Sequence, residues 1–171
     1  MSLVELVSAY GSVVGTTTVE LAHQPPGHLH RAFSVLLLDG SGRLLLQRRA
    51  AVKTRFALRW ANTCCGHPAP GEPVEEAAVR RLAEEMGISS VPLVELGVYT
   101  YRADDPDSGR VEHEYDHVLV GQLDAAAPFV VDPAEVAATE WVPTGALRLD
   151  LDRFPERYAP WLAGVLDISG R

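Results

Sequence analysis

Two apolar runs, Ala32–Leu38 and Leu44–Gln47, flank the polar tetrapeptide Asp39-Gly40-Ser41-Gly42. Runs of this length around a glycine-rich turn predict a β-hairpin. A shorter strand is predicted at Val4-Glu5-Leu6-Val7, before Tyr10-Gly11-Ser12. The segment His23-Gln24-Pro25-Pro26-Gly27-His28 is loop, because two prolines and a glycine forbid regular structure. Lys53–Ala61 shows no period. From Pro73 to Met86 the period changes: Val74, Ala77, Ala78, Leu82 and Met86 form one helical stripe. Pro73 suits the first helical position and Gly87 the position after the last turn. Leu96–Arg102 and Val111–Leu123 read as strands around Asp104-Asp105-Pro106-Asp107-Ser108-Gly109. A helical turn is predicted at Asp132–Val136, a short strand at Trp141-Val142, and a helix over Phe154–Leu166 around Pro155 and Pro160. Strands outnumber helices and most connections are hairpin-like, which favours a mixed α/β (α+β) sandwich over a regular βαβ array.

The chain has 171 residues, 47% apolar and 22% charged. That is one domain's length, 1–171, with enough surface to bury that disulfide staples are not required. No apolar run approaches the roughly 20 residues of a membrane helix. The opening Met1-Ser2-Leu3-Val4-Glu5 lacks the basic region of a secretory signal. Net charge is −8, with no basic patch for nucleic acid. An anionic substrate stays open, since metal ions reverse the local sign of charge. The only cysteines, Cys64 and Cys65, are adjacent, a poor staple that reads as reduced and places the protein in the cytoplasm. Monomer and homodimer are both compatible with these features.

The 73–86 helix ends Arg80-Arg81-Leu82-Ala83-Glu84-Glu85-Met86-Gly87. Carboxylates in a last turn oppose the helix dipole, at about 0.3–1 kcal/mol each. Arg80–Glu84 and Arg81–Glu85 can pair, though in the weaker order. Hard oxygen ligands at a helix end suit Mg²⁺ or Mn²⁺. Metal-competent and reactive groups also crowd the preceding Cys64-Cys65-Gly66-His67-Pro68.

Gly66, five residues, Glu72, seven residues, then Arg80-Arg81-Leu82-Ala83-Glu84-Glu85-Met86-Gly87-Ile88 resembles the Nudix signature, G-x5-E-x7-R-E-U-x-E-E-x-G-U. One fixed position differs: Arg81 stands where Nudix hydrolases carry a glutamate. That substitution is typical of the type 1 isopentenyl-diphosphate isomerases. The resemblance spans about residues 5–165 through several further motifs: His23 and His30; Arg48-Arg49-Ala50 with Lys53; Asn62–Pro68; Tyr101-Arg102-Ala103; Glu112-His113-Glu114; and Ala159-Pro160-Trp161.

The resemblance implies a Nudix-type α/β/α sandwich and an isomerase that moves one double bond of a prenyl diphosphate by protonation and deprotonation. It implies Cys65 and Glu114 as catalytic groups, with Tyr101 assisting protonation. Metal ligands would be His23, His30, His67, Glu112 and Glu114, a nitrogen/oxygen set suited to Mn²⁺ or Zn²⁺. Glu85 would bind Mg²⁺ together with the diphosphate. Arg49, Lys53 and Arg81 would face the diphosphate, and Trp161 would offer its ring to the developing cation. His28, His113 and His117 match no family ligand. Two departures stand out. Val19 replaces a diphosphate-binding lysine, a charge that Arg55 or Arg59 could supply. Ala57-Leu58 replaces a proline-glycine pair. They keep an alternative open: a diverged enzyme acting on a longer prenyl diphosphate as cyclase or diphosphohydrolase.

Overall fold

The computed structural model describes residues 1–171. In chain order its elements are β1 (Leu3–Val7), β2 (Val13–Thr18), the short α1 (Val19–Ala22), β3 (His30–Leu38), β4 (Arg43–Arg49), β5 (Trp60–Ala61), β6 (Cys64–Gly66), α2 (Val74–Met86), β7 (Val94–Asp104), β8 (Val111–Gln122), β9 (Val136–Pro143), α3 (Thr144–Arg153), a 3₁₀ turn (Pro155–Arg157) and α4 (Leu162–Ser169). No helix is long and apolar enough to cross a membrane.

β3 organises the sheet. Its apolar run is explained by burial on both faces, as expected for a central strand with a parallel neighbour. Phe33, Val35 and Leu37 alternate into the core packed on α2, with Leu45, Ala77, Leu82 and Met86. Leu36 and Leu38 point to the other core, with Leu44, Leu46, Leu147, Leu162 and Leu166 from the α3–α4 side. Helix, mixed sheet and helix thus form three layers. β8 runs parallel to β3 from His30↔Glu114 to Leu38↔Gln122, and β7 runs antiparallel to β8, with Tyr101 opposite Glu114.

The predicted hairpin exists only at its tip. β3 and β4 pair at Leu38↔Leu44 and then part. β6 takes the vacated edge of β3, with Val35↔Cys64, Ser34↔Cys65 and Phe33↔Gly66, while β4 pairs with β5 and β9. Side chains fill the split. Thr63 Oγ1 donates to Leu45 O (2.6 Å) and accepts from Leu37 N–H (2.9 Å), and Asn62 Nδ2 donates to Val35 O (3.2 Å) and Cys64 O (3.0 Å). Buried backbone groups need partners, so this polar pair lets the strands separate inside the core.

Other expectations change in detail. Pro73 is the residue before α2 rather than its first residue, and Gly87 closes it at φ 66°. A Cβ at Gly87 would lie 2.2 Å from Val130 O, so only glycine fits. Asp132–Val136 is a turn that leads into β9, which is longer than predicted. The continuous helix over Phe154–Leu166 is absent: after the 3₁₀ turn, Tyr158 is extended and Ala159 N–H bonds Trp60 O (2.8 Å). Pro155 and Pro160 cannot donate in a helix, so α4 begins only at Leu162. β2, α1, β5, β6 and α3 have no strong period and are found by the structure alone.

The Ala57-Leu58 departure has a backbone consequence. Leu58 sits at φ 61°, with Phe56 at φ 47°. Left-handed backbone costs a branched residue about 1–2 kcal/mol, against about 0.5–1 kcal/mol of extra chain entropy that glycine loses on folding. Leu58→Gly is expected to raise stability by about 0.5–1 kcal/mol. Urea denaturation measures it; a loss of stability would mean the Leu58 side chain contributes more than the strain it causes.

Candidate active site

The period-2 alternation of β3, β7 and β8 puts His30, Ser34, Tyr101, Glu112, Glu114 and Asp116 on the α4 side of the sheet. The same alternation separates the adjacent cysteines. Cys65 packs against the α4-side core, while Cys64 lies in the α2-side core, where its thiol donates to Glu85 Oε2 (3.4 Å). Both thiols are free.

A cavity of about 680 Å³ opens at this end of the sheet. Its wall carries Cys65, His67, Glu112, Glu114 and Trp161 together with the charged groups Arg49, Lys53, Arg55, Arg80, Arg81 and Glu85. His23, His30 and Tyr101 are buried behind Glu112 and Glu114. All the site residues expected from sequence therefore line this cavity or lie against residues that do.

His23, His30, His67, Glu112 and Glu114 form one cluster, each with a ligand atom within 4.8 Å of the others. His23 Nε2 is 3.1 Å from Glu112 Oε2, and Glu114 Oε2 lies 2.8 Å from His67 Nε2. The Nδ1 atoms of His23 and His30 meet the carbonyls of Val19 (2.6 Å) and His28 (2.7 Å). In the neutral rings those contacts place the proton on Nδ1 and leave Nε2 with its lone pair facing inward, the usual outer support of a ligating histidine. His30 Nε2 is 3.2 Å from Glu114 Oε2 but out of alignment with it, and is left buried without a hydrogen-bond partner. An orphaned imidazole nitrogen among two more imidazoles and two carboxylates fits a divalent metal.

Electrostatics separate the groups. Burial opposes ionisation of Glu114, but His30 and His67 override it and hold its carboxyl well below the usual range. Glu112 is lowered too, burial and Glu114 being outweighed by His23 and Arg55. Burial drives His67 down to about 4. Burial also opposes charge on His30, yet the Glu114 carboxylate prevails and its pKa is raised. His30 in the metal-free protein therefore holds a proton more readily than an ordinary imidazole, while His67 stays neutral at neutral pH. A metal must displace the His30 proton. Metal uptake is therefore expected to release a measurable number of protons, and affinity to rise with pH through the His30 titration. Calorimetry in buffers of different ionisation enthalpy reads this number; uptake without proton release would contradict the assignment.

Tyr101 Oη donates to Glu114 Oε1 (2.5 Å). Burial, reinforced by Glu114, pushes the phenol well above its ordinary value. Burial, with Asp116 nearby, pushes the Cys65 thiol up to about 12. Cys65 Sγ faces Asn62 Oδ1 (3.3 Å) and Ser34 Oγ (3.7 Å), and Ser34 donates to Asp116 Oδ2 (2.7 Å). The Trp161 ring lies against Tyr101 and Phe56, 6.0 and 5.7 Å between centroids, with the Arg49 guanidinium 5.3 Å away.

Arg81 donates to Glu84 (2.7 Å) and Glu85 and lies 3.4 Å from Glu135, which also holds Lys53. Gln47 Nε2 reaches Glu85 Oε2 from the core (3.3 Å). Arg81 is therefore no loose surface pair; it holds Glu85 at the cavity. Gly66 permits this approach, since a Cβ there would lie 2.7 Å from the Phe33 ring and 3.3 Å from Arg81 Cγ. Between the two cations considered for the charge missing at Val19, Arg55 lines the cavity with Val19 and donates to Glu112 Oε1 (2.8 Å). Arg59 instead points to Tyr158 O (3.4 Å). His117 pairs with Glu95 (2.5 Å) and His113 faces Gly27 O (3.4 Å), both outside the cluster. The roles of Asn62, Ser34, Gln47, Asp116 and Glu135 were not foreseen. Only Asn62 carried a signal, as part of the Asn62–Pro68 motif.

Residues 28–163 match the NUDIX domain family. A solved Deinococcus radiodurans structure is similar in fold, with TM-score 0.78 at 19% identity over 98% of this chain and 99% of that one. A Nitrosomonas europaea NUDIX hydrolase gives TM-score 0.59 at 19% identity over 81% and 86% of the two chains. Curated sequences are nearer. An isopentenyl-diphosphate Delta-isomerase of Nocardia farcinica is 60% identical over 97% of this chain and 93% of its own length. Proteins of the same name from Streptomyces avermitilis (46%, covering 98% and 83%) and Halorhodospira halophila (45%, covering 97% and 94%) match as broadly. The chain belongs to the Nudix family and, within it, to the isopentenyl-diphosphate Delta-isomerases.

Proposed function

We propose that the protein converts isopentenyl diphosphate to dimethylallyl diphosphate in this cavity, as a single cytoplasmic domain spanning residues 1–171. The observation that carries the reading is the placement of proton-bearing groups. Cys65 with its protonated thiol and Glu114 with Tyr101 on its second oxygen serve one cavity, beside the Trp161 ring. Moving a double bond by one position needs a proton added at one carbon and another removed elsewhere, with water kept out. Cys65 and the Glu114–Tyr101 pair are the two ends of that exchange: one gives, the other takes, and the pair resets with solvent. The Trp161 face stabilises the intervening cationic carbon by up to about 2 kcal/mol.

His23, His30, His67, Glu112 and Glu114 would hold Mn²⁺ or Zn²⁺, whose positive charge would keep Glu114 oriented and tune its basicity. Arg49, Lys53, Arg55 and Arg81 bind the diphosphate, and Glu85 takes the Mg²⁺ that accompanies it. With Arg81 standing where the signature has a glutamate, the carboxylate that would support hydrolysis is missing beside Glu85, and the substrate keeps its diphosphate. The test is incubation with isopentenyl, geranyl and farnesyl diphosphates plus Mg²⁺, products being identified by mass spectrometry and NMR. Rearranged five-carbon product supports the reading. Cyclised or hydrolysed longer chains, with isopentenyl diphosphate untouched, would replace it with the diverged-enzyme alternative.

A further inference from the structure

Asn62 is fully buried at the split between β3 and β4, and its amide uses all its hydrogen-bonding capacity. Nδ2 donates to two backbone carbonyls, Val35 O at 3.2 Å and Cys64 O at 3.0 Å. Oδ1 accepts from two side chains, Trp161 Nε1–H at 3.0 Å and the Cys65 thiol at 3.3 Å. Nothing in this arrangement survives an amide flip. The reversed amide would set NH₂ against an indole N–H and its oxygen against two carbonyl oxygens, so chemistry alone fixes the orientation.

The two contacts on Nδ2 serve the fold, because they tie the Val35 carbonyl of β3 and the Cys64 carbonyl of β6 together beside the gap that β4 leaves. The two on Oδ1 do something else. Trp161 comes from just before α4, 99 residues along the chain from Asn62, and Cys65 comes from β6. One oxygen sets the roll of the indole and the direction of the thiol hydrogen together. The ring's other neighbours, Phe56, Tyr101 and the Arg49 guanidinium, pack on it without a hydrogen bond to Nε1, whose one partner is Asn62. Ser34 Oγ, at 3.7 Å, is the more distant polar partner of the thiol.

We propose that Asn62 is a positioning residue, whose single carbonyl oxygen locks the Cys65 thiol and the Trp161 ring into one fixed relation at the cavity. The role rests on the isomerase reading above. Asn62 touches neither the diphosphate-facing cations nor the metal cluster, so substrate binding should be spared and the proton-transfer step should not. Misplacement of a reacting group by about 1 Å can cost about 10²-fold in rate.

The test compares the natural protein with Asn62→Ala. With isopentenyl diphosphate, kcat should fall about 30- to 100-fold while KM stays within about threefold. In ¹⁵N-labelled protein the Trp161 indole proton, assigned by its loss in Trp161→Phe, should move upfield in Asn62→Ala. The kcat effect of Asn62→Ala should also shrink in a Trp161→Phe background, since the two changes break the same contact. Unchanged kcat, a matching rise in KM, or an indole signal that stays in place would overturn the proposal. Should Asn62→Ala fail to fold, the natural protein still decides: a hydrogen-bonded Trp161 indole proton shows a small temperature coefficient, and a large one overturns the lock. Absence of turnover by the natural protein would instead fail the isomerase reading. The indole measurements need no substrate, so the two failures are distinguishable.

Discussion

Cys65→Ala is expected to lower kcat for isopentenyl diphosphate by about 10³-fold or more, with folding and metal content intact, since a positioned proton-transfer group contributes about 10²–10⁴-fold. The neighbouring Cys64→Ala should leave turnover within about threefold. Strand alternation puts the two thiols on opposite faces of the sheet, Cys65 toward Asn62 and the cavity, Cys64 into the α2-side core. Cys64→Ala loses a small buried side chain and a thiol contact to Glu85, so its effect is a stability loss of about 1 kcal/mol. Steady-state kinetics and thermal melts on both variants separate these outcomes. Equal loss of turnover in both, or full activity in Cys65→Ala, would remove Cys65 from the reaction.

Glu114→Gln is expected to act on two functions at once. Glu114 Oε2 lies beside His67 and His30, and Oε1 accepts from Tyr101. The isosteric amide keeps the volume but loses the negative charge, and its NH₂ cannot accept from Tyr101 or serve as a ligand. Metal affinity should fall about 10- to 100-fold or more, and kcat by about 10³-fold. The partner variant Tyr101→Phe should retain the metal and lose turnover less severely, because the phenol touches only the oxygen away from the histidines. Metal analysis beside kinetics checks both. A Glu114→Gln protein that keeps metal and turnover would show that the cluster is only a buried polar network.

How much of this was readable from the sequence depends on the kind of signal each element carries. α2 was legible because its stripe and its closing glycine are local. The cavity-lining residues were legible because they sit in short motifs whose order matches a known family. What stayed hidden depends on long-range pairing. The split of β3 from β4 cannot be read from two apolar runs and a turn, since a full hairpin has the same pattern; it takes Asn62 and Thr63 to occupy the gap. Asp116 looked like an ordinary polar residue of a strand. Only the parallel register of β3 and β8, which sets Ala32 beside Asp116, brings it under Ser34 and near Cys65. α3 went unseen because its single buried residue, Leu147, makes no stripe. Leu58 shows the reverse case: a departure visible in the sequence whose physical meaning, a left-handed backbone held without glycine, needed the structure.

The central claim is that protons enter and leave one substrate inside this cavity while the diphosphate stays attached. Incubating the metal-loaded protein with isopentenyl diphosphate and Mg²⁺ in D₂O, and following the mixture by ¹H and ³¹P NMR, tests it most directly. Dimethylallyl diphosphate carrying deuterium at the newly formed methyl group, with no phosphate or pyrophosphate released, is the predicted result. Release of phosphate or pyrophosphate without that product, or a five-carbon product free of solvent deuterium, would contradict it.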